Sequence, residues 1–389
     1  MKPLAERMSR LGTETAFEVL AKAKALEAKG IDVVHLEIGE PDFDTPSNIK
    51  YAAIEAMIEG YTHYNPSQGL PETRAAIAEY FGRKRGIKVN PENVIVVPGG
   101  KPIITFTILA LVDEGDEVIY PDPGYPIYES VANFCGAKCI PIPLREENEF
   151  RLDVNELEKL VNDKTKLLVI NSPQNPTGGM LTREDLKRIA ELAVKYDFYV
   201  LADEIYSEII YEGEHESILQ FDGMKDRTIV LDGFSKTYAM TGWRIGYGIV
   251  PDHLIDHMVR LETNFNSCTT TFIQKAAIEA LTGPQDAVRA MVEEFRERRD
   301  VIVDGVNSIP GLSCLKPKGA FYVFVNIKET GMAAKEMEEF LLNEAHVAAL
   351  AGTSFGKYGE GYIRFSYANS IENINKAIER IREALARRG

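Results

Sequence analysis

The chain has 389 residues, of which 45% are hydrophobic and 26% charged, the make-up of a globular protein with a sizeable core. Lysine and arginine number 44 against 59 acidic residues, a formal net charge of −15, so the body repels nucleic acid and anionic membrane and is expected to partner with neither. Length allows one large domain or about two, and any anionic ligand needs its own local cluster of cations.

The first 17 residues, MKPLAERMSRLGTETAF, are charged and lack the apolar core of a secretory signal. Residues 17–29 read as a helix that stops at Gly30. Val94–Val97 is an apolar strand running into Pro98-Gly99-Gly100-Lys101. Backbone amides at such a glycine-rich helix start can hold phosphate, although a lone Gly-Gly pair is more often an ordinary turn. It is no P-loop, because Pro102 follows Lys101 and the upstream glycine is absent. The run IITFTILALV (103–112) is too short to span a bilayer. Glu117–Tyr120 is the next strand. It leads into PDPGYPIY (121–128), where Tyr125 either stacks on a planar ligand or fills the core.

Lys166–Ile170 ends in NSPQNPTGG (171–179), a turn-forming stretch that presents Asn171 and Asn175. Thr182 caps a helix to Tyr196, with Leu186, Ile189 and Ala193 on one face. The strand Tyr199–Ala202 delivers Asp203 and Glu204 at its end, and a buried carboxylate there needs a cation. Thr228–Leu231 leads through Asp232-Gly233 into SKTYAMTGWR (235–244). A lysine at the mouth of a buried strand loses its proton readily and then attacks carbonyls; an arginine nearby holds a phosphate or carboxylate. Lys236 and Arg244 therefore point to an aldehyde cofactor with an anionic handle. Tyr247–Val250 is the next strand. His253 and His257 share a helix face without metal-ligand partners, so no metal is expected. Cys135, Cys139, Cys268 and Cys314 form no CxxC pair, which suits a reducing compartment and a cytoplasmic location.

After Pro284 the texture changes. A charged helix runs over Val288–Val306, and β-type runs follow at Ala320–Ile327 and Tyr362–Tyr367. Arg364 on the second run needs an anion if buried. The last helix carries Ile371, Ile374, Ile378, Ile381 and Leu385 at spacings of three and four. Alternating strands and helices in the middle of the chain make an α/β sheet, and the tail makes a smaller α+β unit.

Taken in order, these stretches resemble the class I/II aminotransferases among the fold-type I pyridoxal phosphate enzymes. The resemblance runs from LEIGEPDFDTP (36–46) to the final helix, and is most specific at NPTGG (175–179), DEIY (203–206) and SKTYAMTGWRIGY (235–247). It implies an α/β large domain over 48–286 with a mostly parallel seven-stranded sheet between helices, and a small domain from 1–47 and 287–389. It implies pyridoxal 5'-phosphate as cofactor, with Lys236 as its covalent anchor and the carrier of the substrate's α-proton. Asp203 then pairs with the pyridine nitrogen, Asn175 and Tyr206 hold the phenolic oxygen, and Tyr125 stacks on the ring. Gly100, Lys101, Ser235 and Arg244 fall at phosphate positions, and Gly39, Asn175 and Arg364 on the substrate side, with Gly39 and Arg364 receiving the α-carboxylate. Tyr64, in YNPSQGLPETR (64–74), resembles the tyrosine that reaches the neighbouring subunit's phosphate, so a homodimer with composite sites is implied.

Two departures stand out. Gly233 occupies a position where many relatives carry a serine or threonine, and LETNFNSCTTTF (261–272) lacks the arginine by which some aspartate-specific relatives read a side-chain carboxylate. The expected reaction moves an amino group from an L-amino acid to a 2-oxo acid, 2-oxoglutarate for preference, in two half-reactions. Aspartate is the first donor expected, then aromatic amino acids and alanine. The competing readings are a carbon–sulfur lyase on the same scaffold and a non-catalytic effector sensor, for which no basic DNA-binding segment is present.

Overall fold

The computed structural model describes residues 2–388. Seven strands form its central sheet: β1 (Val94–Val97), β2 (Glu117–Asp122), β3 (Lys138–Pro143), β4 (Thr165–Asn171), β5 (Tyr199–Asp203), β6 (Thr228–Gly233) and β7 (Gly246–Ile249). Their order across the sheet is β1-β7-β6-β5-β4-β2-β3. All neighbours run parallel except at β7, which is antiparallel to both β1 and β6. Both faces are covered, which is why most of these strands read as unbroken apolar runs; Val94–Val97 and Val200–Ala202 are buried throughout.

Register decides what the sheet presents at its carboxyl edge. Asn171 pairs opposite Asp203, and Asp203 opposite Leu231, so the polar ends of β4 and β5 emerge side by side, just short of the end of β6. Ligands of open α/β sheets gather at that edge. Strand β7 reaches it from the other direction and must approach the Gly99-Gly100 turn. A Cβ on Gly246 would stand 2.9 Å from the Gly100 nitrogen, so only glycine lets the turn close over the strand.

Strand β3 escapes sequence reading because Pro141 and Pro143 lie within it. It survives as an edge strand, pairing only with β2, where missing amide donors face outward. The helix expected at Thr182 begins there with a full capping box, Thr182 and Asp185 satisfying each other's backbone amides.

Beyond the central sheet, β8 (Tyr322–Asn326), β9 (Leu350–Ala351) and β10 (Tyr362–Ser366) form an antiparallel sheet in the order β9-β10-β8. The helices Asp286–Asn307 and Ile371–Arg388 back it, burying Ile302, Val306, Ile374 and Ile378 among Val323, Val325, Ile363 and Phe365. The N-terminal segment joins this unit: Val34–His35 pairs with Val347–Ala348, and Val19 and Ala23 of the helix Ala16–Glu27 pack on Leu342, Leu350 and Phe355. Among the described residues no helix is long and apolar enough to cross a membrane, and no group of histidine, cysteine and acidic side chains has metal-binding geometry.

Phe295 ties the two ends of the chain together. It is fully buried, 5.3 Å from the Phe43 ring and 5.2 Å from the Phe321 ring. Phe295→Ala should lose about 3–5 kcal/mol of unfolding free energy. Urea denaturation at fixed protomer concentration checks this, as a fall in the midpoint with an unchanged slope.

Candidate active site

The strand ends, the N-terminal segment and β10 enclose a cleft of about 360 Å³. Lys236, Asp203, Arg244 and Arg364 all line it, together with Gly39, Gly100, Lys101, Tyr125, Asn175, Tyr206 and Ser235. Eleven sequence-expected positions thus meet in one place, although they come from segments up to 325 residues apart (364 − 39 = 325). Tyr64 does not: its side chain is on the surface at 90% exposure.

Asp203 and Glu204 are adjacent at the end of β5 but meet opposite fates. Glu204 turns away from the cleft into a buried network, 2.9 Å from Arg85 and 2.8 Å from His215. Burial works against its charge, yet His215 and Arg85 hold the carboxyl down at about 2. Asp203 faces the cleft and has no ion pair among the described residues. The Tyr128 hydroxyl donates to it at 2.7 Å and the Ile205 amide at 3.2 Å. Desolvation nevertheless prevails and pushes Asp203 up to about 6. A cationic group entering the cleft would relieve that penalty. Asp232 shares Arg85 with Glu204 at 3.3 Å and is raised to about 7, again by burial.

Lys236 keeps a narrow exposure toward the cleft while the atoms around its amine exclude most water. Its Nζ donates to the Gly39 carbonyl at 2.6 Å and lies 5.8 Å from the Phe321 ring centre. Burial draws its pKa down to about 8; Glu40 opposes the change, and Arg364 and Arg244 reinforce it. The lowered pKa makes the neutral amine, the state a nucleophile or base requires, easier to reach than in a free lysine.

One end of the cleft is built for an anion. Gly99-Gly100 lead into the helix Lys101–Leu111, whose first amides have no partners within the helix. Arg244 stands with a left-handed backbone, φ 55°, its guanidinium fixed by the Thr241 carbonyl at 2.7 Å. It lies so close to Gly99 that a Cβ there would fall 2.0 Å from an arginine nitrogen. Ser235 is buried beside it. Gly233 faces β7 closely: a Cβ there would stand 3.0 Å from the Gly246 Cα, so a larger residue would require the two strands to give slightly.

The other end is formed by Arg364 on β10. Its guanidinium is buried, donates to the Asn175 side-chain oxygen at 3.1 Å and to the Glu37 carbonyl, and packs 4.5 Å from the Tyr322 ring. Its Nε has no partner among the described residues. Desolvation lowers its pKa, so an anion arriving here would be welcome. The Tyr206 hydroxyl meets that of Tyr322 at 2.8 Å. Gly39 lies under the same Tyr322 hydroxyl, which would be 2.2 Å from a Cβ.

Sequence reasoning missed Tyr128, Tyr322 and Glu14. Tyr128 was legible in part, three residues after Tyr125 in PDPGYPIY, where its helix begins. Glu14 left no local signal. It reaches the cleft through the fold, where its carboxylate accepts from Lys101 and from the Tyr125 hydroxyl at 2.9 Å.

With this geometry in view, comparison with known proteins is direct. A family model described as aminotransferase class I and II matches residues 31–381. An aspartate aminotransferase of Pyrococcus abyssi is 45% identical over 91% of this chain and 92% of its own length. An aromatic-amino-acid aminotransferase of Thermococcus litoralis is 43% identical over 92% of this chain and 93% of its own. The solved aspartate aminotransferase from Thermus thermophilus with maleate superposes with a TM-score of 0.94 at 39% identity, covering 99% of this chain and all of that one. A chain matched along almost its whole length by relatives this similar leaves one conclusion: it belongs to the class I and II aminotransferases.

Proposed function

We propose that this aminotransferase works with pyridoxal 5'-phosphate and moves an amino group from an L-amino acid, aspartate first, to a 2-oxo acid, 2-oxoglutarate for preference. The observation that carries the reading is the meeting, in one cleft, of a lysine drawn down to about 8, an unpaired buried carboxylate and a buried arginine with a free Nε. When bound, pyridoxal phosphate supplies an electrophilic aldehyde and an electron-withdrawing ring.

The residues fit that group. Asp203, unpaired and destabilised by burial, would hold a protonated pyridine nitrogen. The Gly100 and Lys101 amides at the helix start, with Ser235 and Arg244, would hold the phosphate. Asn175 and Tyr206 would hold the phenolic oxygen, and Tyr125 would lie against the ring. Lys236 Nζ would anchor the aldehyde carbon and, once displaced by the substrate amine, take and return the α-proton. Positioned proton transfer of this kind contributes about 10²–10⁴-fold. Arg364 would clasp the α-carboxylate, with the Gly39 backbone beside it.

The division into a large unit over 48–286 and a small one from 1–47 and 287–389 belongs to the same proposal, and apolar clusters centred mainly on one sheet or the other support it. So does a homodimer. The helix Ser47–Ile58 exposes Tyr51 at 70%, Ile54 at 46% and Ile58 at 82%, apolar side chains at helical spacing on one face, and Tyr64 is exposed as well. A second donor class, aromatic amino acids, is favoured by Phe17, which borders the cleft and is 63% exposed.

Lys236→Ala should abolish both turnover and the lysine-dependent visible absorbance of the loaded protein. Transamination at wild-type rate in that variant would contradict the assignment. Arg364→Ala should raise KM for aspartate, alanine and phenylalanine alike, by about 10²-fold or more for loss of a charge-assisted bidentate contact. Steady-state kinetics with the three donors checks this, and a loss confined to aspartate would make Arg364 a side-chain reader instead.

A further inference from the structure

Four cationic side chains line the cleft among the described residues: Lys101, Lys236, Arg244 and Arg364. On the reading above, Lys236 is occupied by the reaction, Arg244 by phosphate and Arg364 by the α-carboxylate. Only the Lys101 ammonium is left to meet a further anion. Its backbone amide, at the helix start, can still serve the phosphate.

That ammonium is already engaged. Lys101 Nζ donates to Glu14 Oε1, which also accepts from the Tyr125 hydroxyl at 2.9 Å. Nζ lies 5.7 Å from the centre of the Tyr125 ring, the aromatic expected against the cofactor. Glu14 arrives on the stretch preceding the helix Ala16–Glu27. This stretch is tied to the rest of the protein by the Gly12 amide on Ser130 Oγ at 2.9 Å and by Arg10 on the Phe134 carbonyl at 3.3 Å. Both members of the pair keep solvent contact, with side-chain exposures of 46% for Lys101 and 25% for Glu14. A pair of that exposure is weak and can exchange partners, unlike the buried Arg85–Glu204 pair.

We propose that Glu14 is a specificity-determining residue, a built-in competitor that occupies Lys101 and sets how strongly the site takes substrates with a second carboxylate. A substrate whose side chain ends in a carboxylate must displace Glu14 from Lys101, and Glu14 then turns to water. A substrate with a neutral side chain leaves the pair intact and meets a neutralised cleft wall. The competitor thereby narrows the advantage of dicarboxylates over monocarboxylates without removing it. This inference rests on the assignment of Arg364 and Arg244 given above.

The test uses the cofactor-loaded protein and two non-reactive acids, succinate and butyrate, titrated by calorimetry. Glu14→Gln keeps the side-chain size and removes the charge. It should raise the succinate-to-butyrate affinity ratio fivefold or more, and the same shift should appear in kcat/KM for aspartate over alanine. In the Glu14→Gln, Lys101→Gln double variant the gain should vanish. An unchanged or lower ratio in Glu14→Gln, or a gain that survives loss of Lys101, overturns the proposal. Failure of the wild-type protein to transaminate any amino acid would overturn the functional reading instead, and the binding ratio separates the two failures.

Discussion

Desolvation of charge at the carboxyl edge of the central sheet is the constraint on which the site depends. An ionised group taken out of water is costly unless a partner meets it. Asp203 and Glu204 show both outcomes at adjacent positions. Glu204 has Arg85 and His215 and is held at about 2, whereas Asp203 has only neutral donors and rises to about 6. Lys236, its neighbour across the cleft, is pulled the other way, to about 8. The protein thus keeps one carboxylate and one amine in environments that a bound cation and a bound carbonyl would improve, a pattern typical of reactive sites.

Strand register turns that constraint into a site. Parallel β4, β5 and β6 end close together at one edge, where the last residue of β5 is Asp203 and the loops after β4 and β6 supply Asn175 and Lys236. Arg244 lies on the stretch leading into antiparallel β7, beside the Gly99-Gly100 turn, a close approach that Gly246 at the start of β7 makes sterically possible. The second sheet contributes Arg364 from β10, held over Tyr322 and tied to the N-terminal segment through the Glu37 carbonyl.

The strands of the central sheet were legible where residues are buried on both faces, because the apolar runs are unbroken and polar residues mark their ends. Strand β3 was not, since Pro141 and Pro143 argue against pairing and only its edge position excuses them. Positions such as Lys236, Asp203, Arg244 and Arg364 could be picked out because charge at a strand end or inside an apolar run is expensive and so conspicuous. Which of Asp203 and Glu204 faces the cleft could not be read from the adjacent letters alone; the resemblance chose Asp203, and side-chain alternation along β5 places it there. Glu14 illustrates the opposite limit. A glutamate in TETAF has nothing local to mark it, and its meaning comes from a lysine 87 residues away.

Amino-group transfer by this mechanism is expected to stop after one half-reaction until an oxo acid arrives. The direct measurement mixes the loaded protein with excess L-aspartate alone and quantifies products per protomer. The account predicts one equivalent of oxaloacetate, no ammonia, and recovery of the starting absorbance on adding 2-oxoglutarate. Continued release of oxo acid with ammonia, in the absence of any acceptor, would contradict it.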